Sequence, residues 1–367
     1  MFNLMDFAAG PSMTSLEESY VLDAMKNWYG KDAYKYCEMF QKQFADYHGR
    51  KYGVMTTNCT SAIHLALIAA GVRPGDEVIV PELTWTATAE PIVWLGAKPV
   101  FCDVEYRSWC ISPRSIINKI TRKTKAIIAV DLYGNMPDFN EIVDICNDYH
   151  LSLIEDSAEA LGSKYMGRLA GTFGESSVFS FHRTKTLVCG EGGILLTDDK
   201  KIYDCAMYFR DHCRDKNRMY YNLNIGYKYM PFNVQAAIAY GQLQRIDELI
   251  SIKRRHLDLY RTRLEKIGML NIDNDNVYNG AWITCFMPEK RLYKETVAET
   301  AAKFNIPIRP FYYPLSSLPA YGEFANKCKL NESSYYYSQY GINLPGAMIL
   351  SDDMIMYICD ILEKCYD

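Results

Sequence analysis

Ser180-Phe-His-Arg-Thr-Lys-Thr-Leu-Val-Cys-Gly-Glu-Gly-Gly193 places one lysine, Lys185, between an apolar run, Ser177-Val-Phe-Ser-Phe181, and glycines at 190, 192 and 193. The apolar run reads as a strand and the glycines as tightly turning backbone. The spacing therefore predicts a lysine at a strand end, close to packed main chain. A buried or half-buried lysine loses its charge readily and can then attack a carbonyl, which is what a Schiff-base lysine requires. Upstream, Leu151-Ser-Leu-Ile-Glu-Asp156 reads as a buried strand ending in acid. An aspartate so placed suits the ring nitrogen of pyridoxal 5′-phosphate (PLP), whose electron-sink chemistry needs that nitrogen protonated. The two stretches together predict a PLP site, with Lys185 as the Schiff-base residue and Asp156 as the ring-nitrogen partner.

The remaining chain is compatible with such an enzyme. Its 367 residues are 49% hydrophobic and 23% charged, the composition of a globular protein long enough for two domains. A net charge of −4 gives no nucleic-acid footprint or basic membrane face, and no apolar run is long enough for a membrane span. The first residues, Met1-Phe-Asn-Leu-Met-Asp6, lack the basic start and apolar core of a signal peptide, so the expected location is the cytoplasm. The 12 cysteines form no Cys-x-x-Cys pair and the six histidines have no metal-ligand spacing. They predict reduced, mostly buried thiols and no metal.

Short Val/Ile-rich runs alternate with helical patterns. Strands are expected at 53–57, 77–81, 99–103, 125–131, 151–155, 177–181 and 193–197. Helices are expected from Thr14, which opens a capping-box pattern with Glu17, and over 61–70, 85–96, 139–149, 199–212, 233–245, 247–267 and 351–364. This alternation predicts an α/β fold with a large, mostly parallel sheet covered on both faces. The expected division is a large domain over 1–246, with an N-terminal helical segment, and a smaller C-terminal α/β domain over 247–367.

Several side chains join the candidate site on their own chemistry. Thr60 and Ser61 open the helix after the first strand, where a helix N-terminus can take a phosphate. Trp85 offers a flat apolar wall for a pyridine ring. Glu159 would face the cofactor's O3′ if the chain turned helical after Asp156. His182 lies near the lysine, and Arg309, between Pro307 and Pro310, is placed to face a substrate entrance.

Ile154-Glu-Asp-Ser-Ala-Glu-Ala-Leu-Gly162, Phe179-Ser-Phe-His-Arg-Thr-Lys185 and Gly190-Glu-Gly-Gly193 resemble the sugar aminotransferases of the DegT/DnrJ/EryC1/StrS family. So do Asn58-Cys-Thr-Ser-Ala-Ile-His-Leu-Ala-Leu67, Gly75-Asp-Glu-Val-Ile-Val-Pro81 with Thr84-Trp85, Asn233-Val-Gln-Ala-Ala237 and Arg309-Pro-Phe-Tyr-Tyr-Pro-Leu-Ser-Ser-Leu-Pro319. The last stretch is most similar to the perosamine-synthase-like branch. The resemblance implies an aspartate-aminotransferase-like fold (fold type I) and a homodimer with shared active sites. It also implies a phosphate contact from Ser180, and further contacts from the neighbouring subunit's loop over 226–233, here carried by Lys228 and Asn233. In this chain Lys228 replaces a frequent Asn, and Met230 a frequent Arg.

The activity implied is transfer of an amino group, with L-glutamate as donor, to a nucleotide-linked 4-keto-6-deoxy sugar for a surface polysaccharide. An alternative acceptor is a small phosphorylated ketone or ketose such as dihydroxyacetone phosphate. A PLP-dependent sugar dehydratase of this fold would carry histidine in place of Lys185, and a non-catalytic PLP-binding regulator would not need the lysine.

Overall fold

The computed structural model describes residues 2–325 and 331–366. Among these described residues fourteen strands occur in chain order: β1 (Tyr52–Thr56), β2 (Glu77–Pro81), β3 (Lys98–Cys102), β4 (Thr124–Val130), β5 (Ser152–Asp156), β6 (Lys164–Tyr165), β7 (Arg168–Leu169), β8 (Ser176–Ser180), β9 (Gly193–Thr197), β10 (Gly268–Leu270), β11 (Val277–Tyr278), β12 (Cys285–Pro288), β13 (Arg309–Pro310) and β14 (Ile342–Asn343). The main sheet has the order β1-β9-β8-β5-β4-β2-β3. Only β9 runs against its neighbours, so the sheet is mixed but mostly parallel.

Alternation along the central strands explains why both faces are covered. Val78, Val80, Ala126 and Ile128 pack on one face, around the helix Cys59–Ala69. Ile79, Ile127, Ala129 and Leu153 turn to the other, against Phe139 and Ile142 of the helix Phe139–Tyr149. Side chains in a strand point to opposite faces with period two, so near-continuous apolar runs are what a doubly covered sheet needs. The helix Cys59–Ala69 is buried around most of its circumference, as befits a helix between layers.

A second sheet, β10-β12-β14-β13, is antiparallel throughout. It packs with the helices Ile246–Leu264 and Asp352–Tyr366 through Leu257, Phe286, Ile342 and Ile358. A small third sheet, β11-β6-β7, pairs residues from the two halves of the chain. Near the joint, Arg245 binds Glu17 at 2.9 Å and Glu248 at 2.7 Å. Glu17 also closes the N-terminal cap, accepting the Thr14 N–H at 2.8 Å. One buried carboxylate thus fastens the first helix to the helix that leads toward the second sheet.

The strand expectations differ from the observed bounds by about one residue. The helix expected over 85–96 is a correction: Thr86–Thr88 forms a 3-10 turn and a separate short helix spans Glu90–Trp94. Pro91 supplies the reason, since it has no N–H to continue a helix from upstream and is accommodated only in a first turn. Eleven cysteines lie among the described residues; all are free and nine are buried. No described helix is long and apolar enough to cross a membrane.

Gly193 makes the main sheet fit the helix that follows β1. A Cβ at this position would lie 2.5 Å from both the carbonyl carbon of Asn58 and the nitrogen of Cys59. Both are backbone atoms and cannot swing aside. Gly193→Ala is expected to lower unfolding stability by about 1–3 kcal/mol through overpacking. Denaturant titration measures this loss, and an unchanged midpoint would show that the helix start shifts freely.

Candidate active site

The carboxyl ends of β4, β5 and β8 open on a cavity of about 360 Å³. Binding crevices of open parallel sheets lie at this end of the strands. Asp156 is the last residue of β5, opposite Val130 of β4 and Val178 of β8. Thr60, Trp85, Asp156, Glu159, Ser180, His182, Lys185 and Arg309 all line the cavity.

Lys185 is held by a loop beyond β8 that is closed by backbone hydrogen bonds. Its N–H donates to the His182 carbonyl, the Arg183 N–H to Gly190, and the Phe181 N–H to Gly192. Gly190 takes a φ of +87°, a left-handed geometry that glycine adopts without strain. The Lys185 ammonium donates to Glu159 Oε1 at 3.3 Å and sits 3.8 Å from the centre of the Trp282 ring. Trp282 is fixed in turn, its indole N–H donating to the Thr184 carbonyl at 2.7 Å.

Asp156 is buried, and its carboxylate accepts from Thr88 Oγ1 at 2.9 Å and from the Ala158 N–H at 3.2 Å. Burial pushes its pKa up to about 6, the Thr88 and Ala158 hydrogen bonds working the other way. Thr88 shares a further hydrogen bond with Thr84 at 3.1 Å. A cation set against this carboxyl would remove the cost of charging it in a dry site.

After Asp156 the chain makes successive turns, not the helix that would point Glu159 at the cofactor's O3′. Glu159 faces the cavity nonetheless. Its Oε2 accepts the Tyr133 N–H at 3.0 Å, and its Oε1 accepts the Tyr312 hydroxyl at 2.7 Å.

At the opposite wall the helix Cys59–Ala69 begins. Asn58 caps it, accepting the Ser61 N–H at 2.8 Å and the Ser61 hydroxyl at 2.9 Å. The amides of Cys59 and Thr60 have no carbonyl within the helix to donate to, so this end can take an anion. Ser61 does not line the cavity: its hydroxyl is directed to the cap. His182 shares a hydrogen bond with Thr184 at 2.9 Å, and burial lowers its pKa. Trp85 stands at the rim, 58% exposed, its ring 5.7 Å from that of Tyr312.

Lys228 and Asn233 lie away from the cavity of their own chain. Lys228 is half exposed and pairs with Asp211 at 2.7 Å. Asn233 is 6% exposed and accepts the Tyr36 N–H at 2.9 Å. Its Oδ1 is thus taken up within its own chain, while its Nδ2 has no hydrogen-bond partner there. Among the described residues no three His, Cys, Asp or Glu side chains gather as a metal-binding set.

Three contributors were not singled out from sequence. Trp282 and Thr88 carried no local signal, and Tyr312 lay inside the Arg309–Pro319 stretch without an assigned role. Only the fold brings them to Lys185 and Asp156.

An amine, a buried acid, a helix N-terminus and an indole wall around one cavity fit an aromatic aldehyde carrying a phosphate. Residues 11–363 match the DegT/DnrJ/EryC1/StrS aminotransferase family. A GDP-perosamine synthase of Escherichia coli O157:H7 is 36% identical over 97% of both chains. Another, of Vibrio cholerae, is 34% identical over 97% of this chain and 98% of its own. Among solved structures, a protein of Streptococcus pneumoniae assigned as a sugar aminotransferase, in its PLP form, superposes with a TM-score of 0.90. It is 25% identical and matches over 97% of this chain and 98% of that one. The chain therefore belongs to the DegT/DnrJ/EryC1/StrS aminotransferase family and is a PLP-dependent aminotransferase.

Proposed function

We propose that this enzyme transfers an amino group from L-glutamate to the keto carbon of a nucleotide-linked 4-keto-6-deoxy sugar, for assembly of a surface polysaccharide. The observation that carries the reading is the convergence of Lys185, Asp156 and Glu159 in one cavity of a chain similar along nearly its whole length to GDP-perosamine synthases. PLP supplies the electron sink that makes proton removal from the amino-bearing carbon feasible. Lys185 is the residue that holds the cofactor, and its freed amine moves the proton at the substrate carbon. Asp156 keeps the ring nitrogen protonated, with Thr88 fixing its orientation. Trp85 covers the ring. Thr60, Ser180 and the helix start at Cys59 hold the phosphate. His182 and Arg309 sit where the substrates enter.

A homodimer with shared sites accompanies this reading. Support comes from the loop before Lys228, where Met219, Tyr220 and Ile225 are 85%, 97% and 90% exposed. Apolar side chains gathered openly on one loop make a candidate contact surface. Lys228 is then the residue that reaches a neighbouring phosphate as a point charge, with Asn233 supporting the loop from within its own chain. The cytoplasm is the location in keeping with this chemistry.

Three experiments test the proposal. Borohydride treatment of the holoenzyme, followed by peptide mass spectrometry, should place the phosphopyridoxyl group on Lys185, and Lys185→Ala should lower turnover by at least about 100-fold. An adduct on another lysine would remove the assignment. The aminated form of the enzyme, loaded with L-glutamate, should then lose its amine rapidly to a 4-keto-6-deoxy nucleotide sugar and slowly to dihydroxyacetone phosphate. The reverse preference would favour the small keto-phosphate acceptor. Finally, mixed dimers of Lys185→Ala and Lys228→Glu chains should regain activity that both parent dimers lack, because one site in each is undamaged. Verified mixed dimers without recovery would refute the shared site.

A further inference from the structure

Tyr312 follows β13 of the second sheet and reaches into the cavity formed by the first. Its hydroxyl donates to Glu159 Oε1 at 2.7 Å, the same oxygen that accepts from Lys185 at 3.3 Å. The tyrosine cannot easily turn away. Its N–H donates to the Tyr133 hydroxyl at 3.1 Å, and the two rings stack with centroids 5.3 Å apart and an interplanar angle of 25°. Tyr133 in turn donates its own N–H to the other oxygen of Glu159.

We propose that Tyr312 is a positioning residue that shares one carboxylate oxygen with Lys185 and so limits how tightly Glu159 holds the lysine as an ammonium. The need for such a limit follows from the chemistry. Lys185 must be unprotonated to attack an aldehyde, and a carboxylate beside it in a dry site favours the charged form. A second donor on the same oxygen draws off part of its negative potential without removing the carboxylate, which stays to orient the amine. Burial, and then the charge of Glu159, raise the Tyr312 pKa well above its ordinary value, so the phenol remains the donor at every working pH.

The titratable groups facing Glu159 come from several elements. They are Asp156 and Lys185 at the strand ends, Tyr133 after β4, Tyr312 after β13, and the thiols of Cys59, Cys110 and Cys285. Burial pushes all three thiols up, so they stay neutral. His182 also faces Lys185, and burial lowers its pKa. Glu159 and Asp156 are therefore the carboxyl groups that act on the amine, and Tyr312 moderates the one that touches it.

The proposal rests on Lys185 being the amine that takes the cofactor. Pulsed acetylation of the full cofactor-free chain with acetic anhydride, over a series of pH values, gives the titration midpoint of Lys185 by peptide mass spectrometry. Tyr312→Phe keeps the ring and its stack on Tyr133 and removes only the hydroxyl. It should raise the midpoint by about half a unit, roughly threefold less free amine at a given pH below it. In a Glu159→Gln background the same change should leave the midpoint where it was. An unchanged or lowered midpoint in the single variant, or an equal rise in both backgrounds, would overturn the proposal. Borohydride trapping identifies the cofactor's lysine, whereas acetylation reads the carboxylate's hold on Lys185, so the two readings fail separately.

Discussion

The in-register pairing of β4, β5 and β8 is the constraint on which the cavity depends. Asp156 ends β5 opposite Val130, the last residue of β4, while β8 runs two residues past Val178 to Ser180, and all three strands release their chains into the same space. Strand side chains alternate, and a slip of one residue would turn Asp156 to the other face of the sheet. The register is strongly specified because Leu153 and Ile154 belong to apolar clusters on opposite sides. Core packing and acid placement are therefore one requirement. Disturbing either would move the carboxylate away from Thr88 and out of reach of a ring nitrogen.

Charge in this cavity is arranged by burial and corrected by hydrogen bonds. Asp156 pays for its dry position with a pKa near 6, yet Thr88 and the Ala158 N–H keep its oxygens pointed and partly stabilised. Lys185 has an indole face on one side and Glu159 on the other. Cations over indole are attracted by the ring quadrupole without a proton changing hands. The amine is thus located by a partner that cannot take its proton as well as by one that can. On the far wall, the open amides of a helix start give an anion a place that requires no charged side chain.

Much of this was legible in the sequence because the decisive residues are local to readable elements. Asp156, Ser180 and Lys185 follow apolar strand runs, and Thr60 follows a strand and opens a helix, so their place at strand ends could be read from pattern alone. Strand bounds came within about a residue because apolar runs mark them. What escaped lies far along the chain. Trp282 reaches Lys185, and Tyr312 reaches Glu159, only because the second sheet docks beside the first, and no period in a single sequence carries those contacts. Ser61 was ambiguous for a local reason: a hydroxyl in a first helical turn can serve either its cap or a ligand, and Asn58 takes it. Asn233 opens its helix, and the Tyr36 backbone, far away in sequence, takes up its Oδ1. The expected helix at 85–96 ignored Pro91, and Glu159 reaches the cavity through turns that periodicity does not describe.

The placement of Trp282 has an optical consequence. Two of the chain's five tryptophans border the cavity, and Trp282 lies directly beneath the amine of Lys185. A bound chromophore absorbing near the wavelengths of indole emission would accept energy from rings this close. The intrinsic fluorescence of the chain should therefore dim as cofactor loads and brighten as it leaves. The protein carries its own occupancy signal, and Trp282→Phe would remove the part that originates under the lysine while Trp85 at the rim reports the rest.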